Sequence, residues 1–356
     1  MISFKQTYTL PFKSQIPTFI ENFLSEKILI RQKVKYLRRY FFIYLKGQHT
    51  HELNLILPQH KNILWINISA PSFGDSLMDL SSRILLEDKK LDLFTDAKNA
   101  NLYSDDSCFL NVYSDSKQVE KKSYDLIIID SYSSRSIRSK CYLSKSTPFV
   151  SMFGYFNGPE VNRVLFSFHQ MNHLLDYKYS ENEINKIAKA SISINKRDKD
   201  FVQKVDLPPS FISIVIGGEW AYRTYNKWHL VVKKIIKNDI DINIILVGSD
   251  NGKDAADQIE KTFIKYKIYN YVGKFTFSQT AEIINKSEVL FCCDGGLMHA
   301  ANSVNTPIIT LFARLTSAMQ LTNSISAFSL YDIENVNNIS VEQVINQYEK
   351  YKLLVN

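Results

Sequence analysis

Glycine, proline and cysteine are scarce in this sequence, and it contains no long apolar run. The 356 residues include 11 glycines, 9 prolines and 4 cysteines. The low glycine and proline contents exclude collagen-like and low-complexity proteins, and four cysteines are too few for a disulfide scaffold. No stretch of about 18 uncharged apolar residues occurs, so we expect no membrane-spanning helix. The first residues lack an uninterrupted apolar core, which predicts no secretory signal and a reducing, cytoplasmic compartment.

Several motifs of catalytic and nucleic-acid-binding proteins are also absent. The seven histidines and four cysteines form no CxxC or HExxH spacing, so we expect no metal site. No GxSxG, GxGxxG or GxxxxGK[ST] sequence occurs, which argues against a serine-hydrolase elbow and the standard phosphate-binding loops. Nucleic-acid-binding motifs are missing and most basic residues are dispersed, so nucleic acid is not an expected partner.

The remaining composition is typical of a globular protein with two domains. The length exceeds that of one ordinary domain, and a chain with 45% hydrophobic and 22% charged residues is globular. Lys and Arg number 43 against 36 Asp and Glu, which gives a formal charge of +7. This excess favours anionic partners such as phosphates or anionic lipid, without choosing among them.

Residues 1–60 are predicted to form a helical N-terminal extension. Within the segment 31–46, five basic residues precede Tyr40, and apolar positions recur at helical spacing. These apolar positions are Val34, Leu37, Phe41 and Tyr44. Such a helix could lie on an anionic membrane surface. The alternative is a helix that packs its apolar face against its own protein and leaves its Lys and Arg side chains solvated.

From residue 61 onward, short apolar runs alternate with helix-compatible segments. The runs that predict buried strands cover residues 63–68, 91–94, 109–113, 124–129, 148–153, 211–216, 242–247, 289–293 and 307–312. Continuous apolar strands between helices are typical of parallel sheets that are covered on both faces. Residues 195–210 are charged and contain Pro208-Pro209, which favours a domain linker.

The pattern therefore predicts an α/β protein with two doubly wound, Rossmann-like domains that face a central cleft. The first domain is predicted over residues 61–205 and the second over 206–356, ending in a helix at 340–352. Folds of this class bind ligands at the carboxyl ends of their strands. Residues that carry chemistry are therefore expected at the strand ends.

The end of the first predicted strand carries a candidate catalytic carboxylate. Gly74 and Asp75 follow this strand and stand where a helix begins. Because Asp is a favoured N-cap residue, Asp75 could serve only to cap this helix. The alternative is a general base that faces the cleft. Asp79, one helical turn later on a similar face, is a weaker candidate for the same role.

A second strand end combines two glycines with basic residues. Gly217 and Gly218 end the sixth predicted strand, and Arg223 and Lys227 follow before a predicted helix. Glycines let backbone N–H groups approach a phosphate, and a helix start adds positive potential. The alternative is a solvated basic loop with Trp228 packed beneath it.

A third strand end has the most specific pattern. A buried strand runs into Asp294, Gly295 and Gly296, and a helix is predicted from Leu297 onward. Two glycines at such a turn can expose several N–H groups to a diphosphate. Asp294 can order the loop or accept hydrogen bonds from a sugar, and His299 in the first helical turn can reach the same point.

This third strand end resembles the signature of the glycosyltransferase family 9 heptosyltransferases of bacterial lipopolysaccharide synthesis. The resemblance rests on Asp294-Gly-Gly-Leu-Met-His-Ala-Ala301, followed by Asn305-Thr-Pro-Ile-Ile-Thr-Leu-Phe312. Three further segments agree with that family in order and spacing, namely Gly74-Asp-Ser-Leu77, Gly217-Gly218 with the following Lys227-Trp228, and Val272-Gly-Lys274. The resemblance covers residues 61–320.

The resemblance implies a GT-B fold in which the first domain binds the acceptor and the second binds a nucleotide-sugar. It also implies inverting transfer of heptose from ADP-heptose to lipid A–Kdo or the growing inner core of lipopolysaccharide or lipooligosaccharide. No metal or other cofactor would be required. Charge on the leaving ADP must then be met by a helix N-terminus and by Lys or Arg side chains.

Individual roles follow from the same resemblance. Asp75 would be the general base that takes the proton of the acceptor hydroxyl. Lys227 would neutralise the diphosphate, and Asp294 would bind the donor heptose. The other donor-binding residues would be Gly217, Gly218, Arg223, Lys274, Gly295, Gly296, Leu297 and His299.

Four positions depart from the pattern of the family. Gly295 stands where the family has Thr or Ser, so a hydroxyl contact is lost. Asn226 stands where the family has a basic residue, so Lys227 or Arg223 must substitute for it. His229 replaces the usual Pro, and Ala313 replaces the usual Gly.

Three other functions remain open from the sequence. They are a related GT-B transferase that uses another nucleotide-sugar, a non-catalytic accessory protein that binds nucleotide or glycolipid, and a sugar-nucleotide epimerase of the same architecture. The accessory protein would tolerate the loss of Asp75 and His299, and both are present. A glycolipid acceptor would suit the basic segment 31–46, which predicts peripheral attachment to the inner face of the cytoplasmic membrane.

Overall fold

The protein consists of two compact units, Met1–Ala188 and Lys189–Asn356. The computed structural model describes residues 18–21, 30–68, 70, 72–119, 122–158, 160–323 and 325–355. The described residues of the predicted extension, 18–21 and 30–60, belong to the first unit. The division between the units lies before the predicted linker, not at residues 205 and 206.

The first unit is built on a parallel sheet of five strands. These strands are β1 (Asn62–Asn67), β2 (Lys90–Thr95), β3 (Asn111–Tyr113), β4 (Leu126–Ile129) and β5 (Phe149–Ser151). Their spatial order is β3-β2-β1-β4-β5, and all pairs are parallel. Residues 63–66 and 126–129 are fully buried, as expected for strands that are covered on both faces.

Eight helices accompany this sheet among the described residues. They are α1 (Thr18–Glu21), α2 (Ile30–Leu45), α3 (Phe73–Asp79), α4 (Ala97–Tyr103), α5 (Ser116–Val119), α6 (Ser134–Leu143), α7 (Arg163–Leu174) and α8 (Glu181–Ile187). Short 3₁₀ helices cover Gln48–Thr50 and Ser81–Leu86. Side-chain caps start several of the α-helices; Ser180 and Glu183, for example, form a reciprocal capping box at α8.

Helix α2 turns most of its apolar side chains outward. The exposed fractions are 59% for Val34, 56% for Phe41 and 58% for Tyr44, while Leu37 is half-buried. The buried residues of the helix are Arg39 and Ile43. The alternative of an apolar face packed inside the protein is therefore wrong for three of the four predicted positions, because the helix packs through its opposite side.

The second unit is built on a parallel sheet of six strands. They are β6 (Ile212–Val215), β7 (Ile244–Val247), β8 (Ile268–Asn270), β9 (Leu290–Cys293), β10 (Ile308–Ala313) and β11 (Ala327–Asp332). The spatial order is β11-β10-β9-β6-β7-β8. The sequence did not predict the two edge strands β8 and β11, because their residues are largely half-buried or exposed and form no continuous apolar run.

Seven α-helices lie in the described residues of the second unit. They are α9 (Lys196–Gln203), α10 (Trp228–Asn238), α11 (Lys253–Thr262), α12 (Phe277–Asn285), α13 (Gly296–Val304), α14 (Ser317–Gln320) and α15 (Val341–Val355). Short 3₁₀ helices cover Ala221–Arg223, Asp250–Gly252 and Val336–Asn338. No helix in the described parts of the chain is long and apolar enough to cross a membrane.

The predicted linker over residues 195–210 contains α9. Val202 of this helix is fully buried in the same apolar cluster as Ile283 of α12. Gln279 of α12 also donates from Nε2 to Oδ1 of Asp198 at 3.0 Å. Since α9 packs on α12, most of the predicted linker is an ordered part of the second unit.

Candidate functional site

The strand order of the second unit reverses between β6 and β9. From β6 the chain proceeds outward to β7 and β8, and it then returns to β9 on the other side of β6. Switch points of this kind, at the carboxyl ends of the strands, are where open α/β sheets bind ligands. The loops after β6 and β9 contain the second and third strand-end patterns found in the sequence.

Asp294 and Arg223 meet at this switch point. Asp294 directly follows β9, and its residue is 7% exposed. Arg223, in the 3₁₀ turn after β6, donates from Nη1 to Oδ2 of Asp294 at 2.9 Å. The structure thus brings together two residues that the sequence separates by 71 positions. A carboxylate held beside a guanidinium can accept hydrogen bonds from a sugar while the cation faces an anion.

Helix α13 begins immediately after Asp294, as predicted. Gly295 is its N-cap residue, with an extended backbone (φ 168°), and a side chain at this position would find open space. Gly296 opens the helix, and Leu297 is half-buried. The first N–H groups of a helix are unpaired within it and attract anions, so this loop can receive a phosphate.

His299 is buried within α13. Its residue is only 2% exposed, and its carbonyl oxygen accepts a hydrogen bond from Ser303 Oγ at 2.8 Å. The sequence predicted that this side chain helps to hold the sugar and phosphates. Because the side chain is buried at the start of α13, this role stays a prediction.

Gly217 and Gly218 lie at the end of β6, but neighbouring protein atoms fill the space around them. Gly217 has φ +94°, and a Cβ there would lie 2.7 Å from Asn251 Oδ1. A Cβ on Gly218 would clash with Thr224 Oγ1, and the carbonyl oxygen of Gly218 accepts from Asn251 Nδ2 at 2.8 Å. These glycines are therefore required for close packing of the loop.

Lys227 does not join Arg223 and Asp294. Its Nζ donates to the carbonyl oxygens of Asn337 at 2.6 Å and of Ile339 at 3.4 Å, in the segment that precedes α15. Because the ammonium already satisfies these carbonyl groups, its placement argues against the predicted neutralisation of a diphosphate.

Lys274 lies at the same edge of the sheet as the other candidates, after β8. It is exposed, and its Nζ is 5.7 Å from the centre of the Tyr271 ring. β8 is separated from β6 by β7, so Lys274 belongs to the side of the edge away from Asp294. This placement leaves its ammonium accessible to a ligand.

In the first unit the corresponding switch point lies between β1 and β4. Asp130 follows β4 and is 3% exposed. It accepts hydrogen bonds from Asn67 Nδ2 at 2.8 Å and from the Ile68 backbone at 3.2 Å. This carboxylate ties the two strand ends together and shapes the loop that leads to α3.

Asp75 lies in the first turn of α3 and is held from two sides. Ser72, not Asp75, is the N-cap residue, and its Oγ donates to Asp75 Oδ2 at 2.6 Å. Arg163, at the start of α7, donates from Nη1 to Asp75 Oδ1 at 2.5 Å. The side chain of Asp75 remains 23% exposed, so a lone pair of this carboxylate stays accessible to an incoming hydroxyl.

Asp79 shares the same arginine but is buried. Arg163 donates to it through Nε at 2.8 Å and through Nη2 at 2.6 Å, and the Asp79 side chain is 3% exposed. Burial raises the pKa of Asp79 to about 7, although Arg163 offsets part of the rise. Asp79 therefore anchors the guanidinium, which leaves Asp75 as the more accessible carboxylate.

Sequence reasoning missed three residues at these edges. Asp130 has the signal that identified Asp294, since it directly follows a continuous apolar strand. Arg314 has the same signal, since it directly follows the buried strand β10. Arg163 has none, because it follows no strand and meets Asp75 and Asp79 only through the packing of α7 on α3. Among the described residues, no group of three His, Cys, Asp or Glu side chains is arranged to hold a metal ion.

Comparison with known families gives one assignment. The family model described as glycosyltransferase family 9 (heptosyltransferase) matches residues 155–347, which is more than half of the chain. The matched segment includes Arg223, Asp294 and the start of α13. A comparison with curated proteins found no match.

Solved structures of similar fold match this chain over nearly the whole of their own length. A glycosyl transferase of family 9 from Veillonella parvula DSM 2008 has a TM-score of 0.71 and 14% identity, over 85% of this chain and 99% of that one. The E. coli ADP-heptose lps heptosyltransferase II has a TM-score of 0.64 and 16% identity, over 82% of this chain and 99% of that one. E. coli heptosyltransferase WaaC with ADP-2-deoxy-2-fluoro heptose has a TM-score of 0.61 and 13% identity, over 81% of this chain and 99% of that one. At such identities the matches show the fold, and they confirm the predicted GT-B class.

Proposed function

The chain belongs to glycosyltransferase family 9, the heptosyltransferase family, and from this premise we propose that it transfers heptose from ADP-heptose to a glycolipid. The proposed acceptor is the inner core of lipopolysaccharide or lipooligosaccharide. The proposed reaction inverts the anomeric centre and requires no metal. The observation on which this proposal chiefly rests is the Asp294–Arg223 pair beside the start of α13.

The donor is inferred from the site and from the similar structures together. The E. coli heptosyltransferase II is named for ADP-heptose, and WaaC was solved with a fluorinated ADP-heptose. In this chain the residues suited to a sugar and to phosphates, Asp294 and Arg223, are in direct contact. Asp294 can accept hydrogen bonds from sugar hydroxyls, and Arg223 supplies a planar cation for the diphosphate.

Asp75 is the proposed general base. Its carboxylate would accept the proton of the acceptor hydroxyl as that oxygen forms a bond to the anomeric carbon. The bond from this carbon to the diphosphate oxygen breaks, and its electron pair leaves with ADP. Attack from the face opposite the leaving group inverts the centre. Arg163 and Ser72 hold Asp75 in one orientation, which favours transfer of the proton without rearrangement.

Charge on the departing ADP would be met by the protein itself. Arg223 lies at the switch point of the second sheet, and the first N–H groups of α13 lie beside it. Oriented donors of this kind stabilise developing negative charge without reorganisation.

The nucleotide preference is tested by isothermal titration of the purified protein with ADP, UDP, GDP and CMP, with and without EDTA. We expect selective ADP binding that survives EDTA. Preference for another nucleotide would favour a related transferase with a different donor. Absence of binding to all four would instead favour a non-catalytic accessory protein.

The general base is tested with Asp75→Asn, which keeps the shape of the side chain. We expect turnover to fall about 10²–10⁴-fold, while ADP affinity and the melting temperature stay close to those of the wild type. Loss of ADP binding in this variant would show that Asp75 serves the structure or the donor and not proton transfer.

We also propose that α2 attaches the protein to the inner face of the cytoplasmic membrane, where a glycolipid acceptor would be available. Its outward stripe includes Val34, Phe41 and Leu45, which are 59%, 56% and 80% exposed. Arg31 and Arg38 lie beside this stripe in the helical projection. An apolar stripe flanked by cations fits the boundary between anionic headgroups and acyl chains.

The density of positive charge on α2 supports the same proposal. The pKa of Lys35 is lowered, first by burial and then by repulsion from the neighbouring Arg39, Arg38 and Arg31. The repulsion among these cations would be relieved by an anionic surface. A lipid surface is therefore a better match for this helix than an uncharged partner.

A further inference from the structure

The turn after β10 holds an arginine in an unusual backbone conformation. Arg314 has φ +67°, and only two other non-glycine residues in the described chain have positive φ, Asp176 and Asn305. The N–H of Leu315 donates to the carbonyl oxygen of Ala313 at 2.8 Å, which closes a three-residue turn around Arg314. Tight turns with positive φ at the central residue are rare and strained, and such strain persists where the surroundings enforce it.

The side chain of Arg314 extends over an aromatic ring next to the proposed donor residues. Its guanidinium carbon is 3.9 Å from the centre of the Tyr222 ring. The guanidinium carbon of Arg223 is 5.8 Å from the centre of the same ring, and Arg223 contacts Asp294. Two guanidinium groups therefore share one tyrosine at the carboxyl edge of the second sheet.

The three cations in the loops after β6 and β10 differ in what they already contact. Lys227 donates to two backbone carbonyl oxygens, and Arg223 pairs with the carboxylate of Asp294. Arg314 is exposed, and no carboxylate within the described ranges forms an ion pair with it. Of these three cations, Arg314 is consequently the one whose charge remains available to an anionic ligand, and unlike Lys274 after β8 it lies beside Arg223 and Tyr222.

We propose that Arg314, together with Arg223, binds the diphosphate of the nucleotide-sugar donor in place of Lys227. This inference rests on the proposed function, since it assigns a residue to the same donor site. The planar guanidinium offers paired N–H donors that match phosphate oxygens. Stacking on Tyr222 orients the Arg314 side chain before the ligand arrives, which reduces the entropy lost on binding.

The decisive variant is Arg314→Gly, because glycine adopts positive φ without strain. We expect the melting temperature to stay equal or rise, while ADP affinity falls about 10- to 100-fold, the usual loss for a hydrogen bond to a charged group. AMP affinity should fall less, and adenosine affinity should not change. Arg314→Lys should be intermediate, because it keeps the charge but loses the paired donors.

Asn305→Gly is the matched control for the backbone change. Asn305 has φ +60° and caps the carboxyl end of α13. This variant should bind ADP as the wild type does. If Arg314→Gly also binds ADP with unchanged affinity, Arg314 is only a structural partner of Tyr222 and the proposal is overturned.

Inorganic pyrophosphate separates this inference from the identity of the nucleotide. If the wild type prefers another nucleoside diphosphate, that nucleotide replaces ADP in the same comparison, and a loss in Arg314→Gly still supports the proposal. If no nucleotide binds, a pyrophosphate affinity that depends on Arg314 supports the anion site alone. The proposal is overturned if Arg314→Gly binds both pyrophosphate and the nucleotide as tightly as the wild type does. It is also overturned if the wild type binds neither ligand.

Discussion

At the end of β1, one guanidinium is shared between two carboxylates of different exposure. Arg163 contacts Asp75, which is accessible, and Asp79, which is buried. Two anions beside one cation cannot both be fully neutralised, and burial penalises the ionised form of the inner one. The inner carboxylate therefore anchors Arg163, and the outer one is the accessible carboxylate to which we give the proposed role of general base.

The pH dependence of stability should report on Asp79. Burial raises its pKa to about 7, with Arg163 opposing the rise, whereas an unfolded chain has an aspartate pKa of about 3.9. Between these values the native state keeps a proton that the unfolded state has released. The free energy of unfolding should therefore decrease as pH rises from about 4 to about 7, and this contribution should level off above that range.

Thermal unfolding of the wild type and of Asp79→Asn over this pH range provides the measurement. Subtracting the melting temperature of the variant from that of the wild type at each pH removes the contributions of other titrating groups. We expect the wild type to lose melting temperature relative to the variant as pH rises. Parallel profiles would show that Asp79 keeps an ordinary pKa in the folded protein.

Some residues of the site are predictable from the sequence and others are not. Asp294 directly follows an apolar strand, and Asp75 lies in the first turn of the helix after another. Their positions at the carboxyl edges of the two sheets therefore follow from local order alone. The neutralising role predicted for Lys227 depended on the direction of a long flexible side chain. That direction is set by the carbonyl groups near residues 337–339, which lie more than a hundred residues away in the chain.

Helix α2 shows the same limit at the scale of a secondary-structure element. Its periodicity predicted an amphipathic helix, and a helix is present over Ile30–Leu45. Periodicity predicts that one face of the helix is apolar, but it does not predict what that face contacts. In the structure the apolar stripe faces outward and Arg39 is buried.

Membrane attachment through α2 is tested by flotation with vesicles that contain anionic lipid. We expect the double variant Val34→Asp/Phe41→Asp to lose vesicle binding, because two carboxylates would enter the apolar layer and meet anionic headgroups. Both side chains are more than half exposed, so the melting temperature should change little.

A matched control changes two exposed isoleucines in the second unit. Ile240 and Ile264 are 67% and 80% exposed, and Ile240→Asp/Ile264→Asp should float as the wild type does. Equal flotation of both double variants, or no flotation of the wild type, would contradict attachment through α2.

At the scale of the whole molecule, each unit has its own parallel sheet and buried apolar clusters. Every residue assigned to the donor lies in Lys189–Asn356, whereas Asp75, Asp79 and Arg163 lie in Met1–Ala188. Units with separate cores can fold independently in principle. The proposed division of labour between acceptor chemistry and donor binding therefore follows the division of the chain.

Expression of residues 189–356 alone tests this division. We expect a cooperatively unfolding protein that binds ADP with an affinity close to that of the full chain, because the proposed donor contacts are complete within it. Residues 1–188 alone should not bind ADP. A folded second unit without ADP affinity would place essential donor contacts in the first unit.

The sequence by itself determined the two parallel sheets, the strands with continuous apolar runs, the position of Asp294-Gly-Gly at a strand end, and that of Asp75 at the start of the helix after β1. These features depend on periodicity and turn chemistry, which act over a few neighbouring residues. Only the tertiary structure decided the partners of Arg163, Lys227 and Arg314, the outward face of α2, and the packing of α9. Such contacts join residues as far apart as the 112 positions between Lys227 and Ile339, and they depend on which elements pack together.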